Sequence, residues 1–318
     1  MSSTTLWSHF EARAELGAPA LELAALQILR NGPLSGLIPW VDIPGMTYNF
    51  ALQDELPKVK ARLFDEASER GQGNTVKGAQ NVHIYSHDIR TDSSKLALMG
   101  QSTHNRQVVA AVQSLRLAIE SDFLNGNDAL SGGREMDGIR KQIPSSQQLV
   151  NASGGAGLKL SKLDELIAEV DGPNDEKVLI LPKKLKTKFG AAVRNIGVSG
   201  LYIQGIDQLG RSAQMYDGVP LIETDVRDDN LPIQPFTESN STTTIYCVRM
   251  GEGFTSGIQG PVYSESGELT TGLVIYDLPE SFNTATRATR FTWHCGAVVE
   301  DPNSIASLSG ITLADITA

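Results

Sequence analysis

Apolar positions recur along the chain in two periods, and the places where the period changes mark its elements. Between Pro19 and Arg30 the residues Leu21, Ala24, Ala25, Ile28 and Leu29 keep to one helical face, and Asn31, Gly32 and Pro33 end the pattern. So short a helix is marginal alone and needs a surface for its stripe. From Ile38 to Arg90 the period shortens, and long strands are expected. Val59, Ala61 and Leu63 alternate with Lys58, Lys60 and Arg62, and Val82 and Ile84 alternate with His83, Tyr85 and His87, each as a half-exposed strand would. Between them Glu66 to Gln80, EASERGQGNTVKGAQ, is polar and glycine-rich and predicts the tip of a hairpin. A hairpin with so little apolar surface has to lie on something else.

Helical spacing returns with Val108, Val112, Leu115, Ile119 and Phe123. Ser102 or Thr103 would cap this helix, Asn125 would end it, and Gly126 would supply a left-handed stop after about 33 Å. Gly132, Gly133 and Gly138 then break the pattern. Ser161 is placed to cap a helix whose buried face is Leu163, Leu166, Ile167 and Val170. Val178 to Leu181 is a short continuous apolar run, as in a strand covered on both faces, and Lys183 to Arg194 has helical character. A glycine-punctuated loop follows through Gly197, Gly200, Gly205 and Gly210, and then a second buried strand from Val219 to Ile222. Further β pattern covers Thr242 to Met250 and Leu269 to Leu278, with GEGFTSG between them as a turn. A last strand from Phe291 to Val299 puts Phe291, Trp293, Cys295, Ala297 and Val299 on one face.

Composition narrows the class. A chain of 318 residues buries a large core and by length suggests roughly two domains. No apolar run approaches the ~18 residues that a membrane-spanning helix needs. The opening MSSTTLWSHFEARAEL has no basic start followed by an apolar core, so a secretory signal is not expected and a cytoplasmic setting is. Two cysteines, Cys247 and Cys295, are too few for a disulfide framework and read as small buried side chains. A net charge of −10 argues against gripping nucleic acid through its phosphates. The one basic cluster, Lys183, Lys184, Lys186 and Lys188, reads as a solvated or intersubunit face.

Candidate chemistry does not accumulate. His83 and His87 would share a strand face, but that spacing sets their rings far apart and no ligand cluster accompanies them. The glycines of Ser153 to Gly157 follow no buried strand and lack the Lys-Ser/Thr of a phosphate loop, so a linker or hinge is expected there. His294 has no nucleophile motif to serve. No catalytic, cofactor-binding or metal-ligating residue is assigned, and no cofactor is expected.

The succession of a buried strand, a Lys-rich helix, a long glycine loop and Asp217-Gly218-Val219-Pro220-Leu221 with Thr224-Asp225 resembles the axial domain of tailed-phage major capsid proteins, the HK-ninety-seven fold that encapsulin shells share. The ending, a strand followed by Pro302, Ala306, Leu308 and Gly310, is similar as well. The resemblance implies an α+β fold of four parts: an N-terminal arm over 1–36, an extended hairpin loop over 37–90, a peripheral domain with a long spine helix over 91–144 and 252–318, and an axial domain over 145–251. It implies that the arm helix and the hairpin lie on a neighbouring subunit, and that the loop from Ile196 to Gly210 meets its copies at a symmetry axis.

The function so implied is structural: a major capsid protein of a tailed bacteriophage, self-assembling as hexamers and pentamers into an icosahedral shell around double-stranded DNA, without sequence-specific binding. Its partners would be itself and the portal, scaffolding and decoration proteins of such particles, and its place the virion capsid, assembled in the bacterial host cytoplasm. No membrane partner is expected. Only the stretch up to Gly36 precedes the hairpin, so no removal of an N-terminal scaffold segment is expected. Lys77 sits at the hairpin tip, as the cross-linking lysine of some relatives does, but no acceptor is identified and no bond is expected. Two rivals stand beside this reading, an encapsulin-type nanocompartment shell and a soluble α/β enzyme with an unrecognised site.

Overall fold

The computed structural model describes residues 20–55, 59–68, 74–196, 202–206, 212–227, 229–251, 257–263, 273–278 and 285–317. Helix α1 (Ala20–Arg30) precedes strand β1 (Trp40–Ile43), the pair β2 (Thr47–Glu55) and β3 (Asn74–Asn81), and β4 (His83–Asp92). A short α2 (Ser93–Met99) leads into α3 (Gln101–Asn125), which at 25 residues is about 37 Å long. After helical turns at Asp128–Ser131 and Ile139–Gln142 come β5 (Gln148–Val150), α4 (Leu160–Glu169), β6 (Lys177–Pro182), α5 (Lys183–Ile196), β7 (Tyr202–Ile206), β8 (Ser212–Tyr216) and β9 (Val219–Thr224). Strands β10 (Thr243–Arg249), β11 (Ile258–Tyr263), β12 (Leu273–Leu278), β13 (Thr286–Cys295), β14 (Val298–Val299) and β15 (Ile305–Ile311) complete an α+β chain.

Among the described residues the strands form three sheets. One has seven strands in the order β5-β15-β10-β6-β9-β8-β7, with β6 parallel to β9 and antiparallel to β10. Its centre is covered on both sides, as the continuous apolar run of β6 requires. Leu179, Leu181, Leu221, Ile245, Cys247, Ala306 and Leu308 pack with Leu163, Leu166, Leu185 and Phe189 from α4 and α5. Val178, Ile180, Ile222, Tyr246, Val248 and Ile305 point the other way, into the core that α3 shares. The second sheet places β13 between β4 and β12, with β11 joining β1, β13 and β14. It lies under α3, and Trp40 against Trp293, with centroids 5.0 Å apart, fills its centre. The third sheet is β2 with β3 alone.

Several expectations change. The apolar stripe of α1 is buried in its own chain: Ala25, Leu26 and Leu29 join Val108, Val112 and Ile119 in one core, so it needs no neighbouring subunit to cover it. Val59, Ala61 and Leu63 form no strand, because no strand among the described residues pairs with them, and Val59 and Leu63 are 96% and 79% exposed. The hairpin pairs Thr47 with Asn81 through Glu55 with Asn74, so Asn74 to Gln80 is strand rather than tip. Around β4 the burial follows the apolar alternation at Val82, which is buried, and His87, which is exposed, and departs from it at His83 and Ile84. His83, Ile89 and Thr91 are buried and Ile84 is 57% exposed. The inward polar groups find partners, His83 at 3.4 Å from Asp128 and Tyr85 donating to Asp122 at 2.9 Å, which lets a polar face turn inward.

Helix ends differ for equally specific reasons. Gly126 is extended (φ −57°, ψ 150°), not left-handed. Its need is space, since a Cβ there would lie 2.3 Å from the Met136 carbonyl oxygen and 2.5 Å from that of Asp122. Neither Ser102 nor Thr103 caps α3, which starts directly after Gly100, whereas Asp92, unread as a cap, accepts from the Ser94 and Lys95 amides at the start of α2. Ser161 lies inside α4, and the Leu160 amide donates instead to the Thr317 carbonyl at 2.9 Å. The glycines of 153–157 form a closed turn around Asn151, whose side-chain amide donates to the Gly157 carbonyl at 2.9 Å. The glycine loop contains strands β7 and β8, and its residues 197–201 and 207–211 lie outside the described residues. So do 252–256 of GEGFTSG and the start of the strand expected from Leu269. The last strand breaks at Gly296, whose amide donates to Pro261. Beyond it β15, grouped from sequence with the peripheral part, pairs with β10 and β5 in the seven-stranded sheet.

Candidate interaction surfaces

The hairpin β2–β3 stands apart from the larger sheets and is held at its root. The Tyr48 hydroxyl donates to the Glu300 carboxylate, whose second oxygen accepts from Gln259 at 3.2 Å, and the Val82 amide donates to the Met46 carbonyl at 2.9 Å. Along its length Phe50 lies opposite Gly78, and a Cβ at Gly78 would lie 2.3 Å from the ring. The glycine thus makes room for an aromatic that also stacks on Tyr48, with centroids 6.0 Å apart. At the far end Val59, Leu63 and Phe64 are exposed, Phe64 completely. Lys77 lies on β3 opposite Ala51, not at the tip.

A second surface lies where the two cores meet. Pro182 ends β6, and the chain from Thr224 to Thr237 crosses below the end of α3, where Asn125 donates to the Ile233 carbonyl at 2.9 Å. Buried Gln234 is satisfied by Thr224 at 2.9 Å and the Thr244 carbonyl at 3.1 Å, which fixes this crossing. The groove so formed has a volume of 850 Å³, an apolar floor including Ile233, Pro235 and Phe236, and Lys183, Lys184, Arg140 and Arg227 around it. The expected basic helix is therefore divided. Lys186 and Lys188 pair with Glu223 (3.7 Å) and Asp315 (2.8 Å) of the same chain, while Lys183 and Lys184 are exposed at the groove. The stretch from Asp229 to Phe236 went unread in sequence, although Pro232 and Pro235 flanking Ile233 mark a rigid extended crossing.

The polar groups considered for chemistry serve the fold. Buried His104 lies 3.0 Å from both Thr91 and Thr289, joining α3 to β4 and β13. His83 is buried beside Asp128 and His87 is exposed, so the two are not brought together as ligands. His294 meets the edge of the Tyr263 ring. Cys247 and Cys295 are buried free thiols, and burial pushes Cys247 up to about 12. Burial and the Asp122 carboxylate raise Tyr85 as well. No group of three or more metal-ligating side chains occurs among the described residues. No helix among them is long and apolar enough to cross a membrane.

These elements and their order are those of the HK-ninety-seven fold, the fold of phage capsid proteins and encapsulins. The chain is similar to the encapsulin of Synechococcus elongatus, at a TM-score of 0.64 and 16% identity over 89% of this chain and 88% of that one. It is similar to the capsid of a native GTA particle (TM-score 0.59, 12% identity, 88% and 90% covered) and to the capsid of cyanophage A-1(L) (TM-score 0.58, 12% identity, 92% and 93% covered). Sequence comparison finds no matching family model and no matching curated protein.

Proposed function

We propose that this chain is the major subunit of a closed icosahedral shell, a capsid protein assembling as hexamers and pentamers around the double-stranded DNA of a tailed bacteriophage. The observation that carries the reading is the hairpin: among the described residues it is paired only with itself, it is tied to the subunit at its root, and it ends in exposed apolar side chains that its own core leaves uncovered. Likeness of fold over nearly the whole length of phage capsid chains supports it. The net charge of −10 suits a container that encloses DNA without holding it. In this reading the parts are an arm (1–36), a hairpin (37–90), a peripheral part (91–144 and 252–318, with β15 lent to the axial sheet) and an axial part (145–251). The β7–β8 end of the axial part meets its copies on a symmetry axis. Assembly is multivalent, with many modest contacts summed by closure.

The likeness to an encapsulin supports a second reading, a nanocompartment shell. An enzymatic role has no support in the polar groups described above. Electron micrographs of the chain expressed alone test the proposal: closed particles of uniform size are expected, and a monodisperse monomer would overturn both shell readings. Packaged DNA from infected cells, against protein cargo from uninfected ones, separates the first reading from the second.

A further inference from the structure

Arg116, half-buried on α3, stands between two carboxylates that belong to different parts of the fold. Its guanidinium donates to Asp225 at 3.2 Å, an ion pair whose carboxylate is 45% exposed. One turn further along the same face of α3, Glu120 is fully buried. Ser35 approaches only Oε1 of that carboxylate, and Oε2 makes no hydrogen bond among the described residues. The same holds for the buried Nε of Arg116. A Cβ on Gly32 would lie 2.3 Å from Glu120 Oε1 and 3.0 Å from Arg116 Cδ, so the carboxylate and the arginine stem border one missing methyl group. Burial pushes the Glu120 carboxyl up, and Arg116, Ser35 and the Leu34 amide only partly hold it down.

Each seat for the guanidinium leaves something unmet. An ion pair open to solvent contributes little, and holding Arg116 there leaves a buried carboxylate oxygen and a buried N–H without partners. Moving the guanidinium onto Glu120 satisfies both atoms, but takes the cation fully out of water. The two seats are therefore close in free energy, and rotation within the arginine side chain is enough to exchange them. The exchange has a consequence beyond α3, because Asp225 roots a loop that borders the groove. Its carbonyl accepts from the Ile233 amide at 3.1 Å, and inside the loop the Arg227 amide donates to the Leu231 carbonyl at 2.7 Å. With Arg116 on Asp225 this loop is fastened to the middle of the long helix. With Arg116 on Glu120 that fastening is gone, while Asn125 still holds Ile233.

We propose that Arg116 is a two-seat latch: its guanidinium passes from Asp225 to Glu120 Oε2, and the passage frees the loop from Asp225 to Ile233 from the long helix. The latch belongs to the single subunit and stands whether or not the chain builds a shell. A double-mutant cycle on the full chain, read by chemical denaturation, tests it. Asp225→Ala drives Arg116 onto Glu120, so Glu120→Gln should lower the folding equilibrium constant about tenfold more in that background than in the parent. With Arg116→Met in place the two substitutions should simply add. Additive effects in the presence of Arg116, or coupling that persists in its absence, overturn the latch. Amide exchange gives a reading that needs no change at Glu120. The Ser35 amide, whose acceptor Arg116 then steadies, should exchange about twofold or more slower in Asp225→Ala than in Asp225→Ala/Arg116→Met. The parent and Arg116→Met, where Asp225 is present, should show no such difference. In Asp225→Ala the Arg227 and Ile233 amides should exchange faster than in the parent. Equal Ser35 rates in the two Asp225→Ala variants, or loop amides at the parent's rate, overturn the proposal.

Discussion

The Ser35 backbone amide donates at 3.2 Å to a buried oxygen of Glu120 in the middle of α3, and the Ser35 hydroxyl lies 2.9 Å from the same oxygen and 2.6 Å from the Leu29 carbonyl. The chain after α1 is thereby fastened to the long helix at a point where both partners are fully buried. Gly32 makes the approach possible, since a Cβ there would lie 2.1 Å from the Ser35 hydroxyl and 2.3 Å from Glu120.

Removing the acceptor strands the buried Ser35 amide, while the hydroxyl keeps the Leu29 carbonyl at 2.6 Å. Glu120→Ala is expected to destabilise the subunit by about 1–3 kcal/mol, and Glu120→Gln by less, because its carbonyl oxygen still accepts from Ser35. Chemical denaturation of the two variants checks the order. Equal losses would mean that the carboxylate's charge, rather than its acceptor oxygen, matters.

Asp42 gives a dependence on pH. Its side chain is partly buried on β1 with Oδ1 lacking a hydrogen-bond partner, and burial raises its pKa from 3.8 to about 6. A carboxyl whose folded pKa is raised contributes stability in its protonated form, present below about pH 4 and lost as pH rises through about 6. Burial also raises Glu120, so it acts in the same direction. Asp42→Asn should therefore stabilise the subunit at pH 7–8 by about 1 kcal/mol after allowance for solvent screening, and leave it nearly unchanged at pH 4. Thermal unfolding at the two pH values measures this, and a gain of equal size at both would refute the assignment to ionisation.

The bend after α3 depends on close backbone approach. Gly138 donates to the Gly126 carbonyl at 2.9 Å, and a Cβ at either glycine would meet backbone atoms below 3 Å. Gly126→Ala is expected to destabilise by about 2 kcal/mol or more, because backbone cannot swing aside as a side chain can. A variant that melts within a degree of the parent would contradict this.

The parts legible in the sequence are those whose partners do not alter the local pattern. The stripe Val108, Val112, Leu115, Ile119 and Phe123 is buried as its spacing implies, and Val178 to Leu181 is covered on both faces. The pattern failed where tertiary partners set the burial. In β4 the inward polar groups are matched by Asp122, Asp128 and His104, which no window on β4 alone contains. The false strand at Val59 to Leu63 had the right alternation but no pairing partner among the described residues, and strands exist by pairing. Of the two surfaces, the hairpin was legible from its polar, glycine-rich stretch. The groove was not, because it is assembled from Asn125, Arg140, Lys183 and Phe236, which only the fold brings together.

The hairpin register defines how it can be shortened. Glu55 pairs with Asn74, so replacing residues 56–73 by Asn-Gly joins the two strands through a two-residue turn without shifting Phe50 from Gly78. The excised stretch includes Val59, Leu63 and Phe64, all exposed, and its described residues, 59–68, include none of the buried core. Folding should therefore be nearly untouched, with a thermal transition within a few degrees of the parent. Assembly is a different matter, because every subunit repeats the contact and closure multiplies a modest loss across the particle. Soluble subunits or small rings without closed particles are expected in sedimentation and electron micrographs. Normal particles would show that the hairpin end takes no part in assembly, and a grossly unfolded subunit would show that it belongs to the core after all.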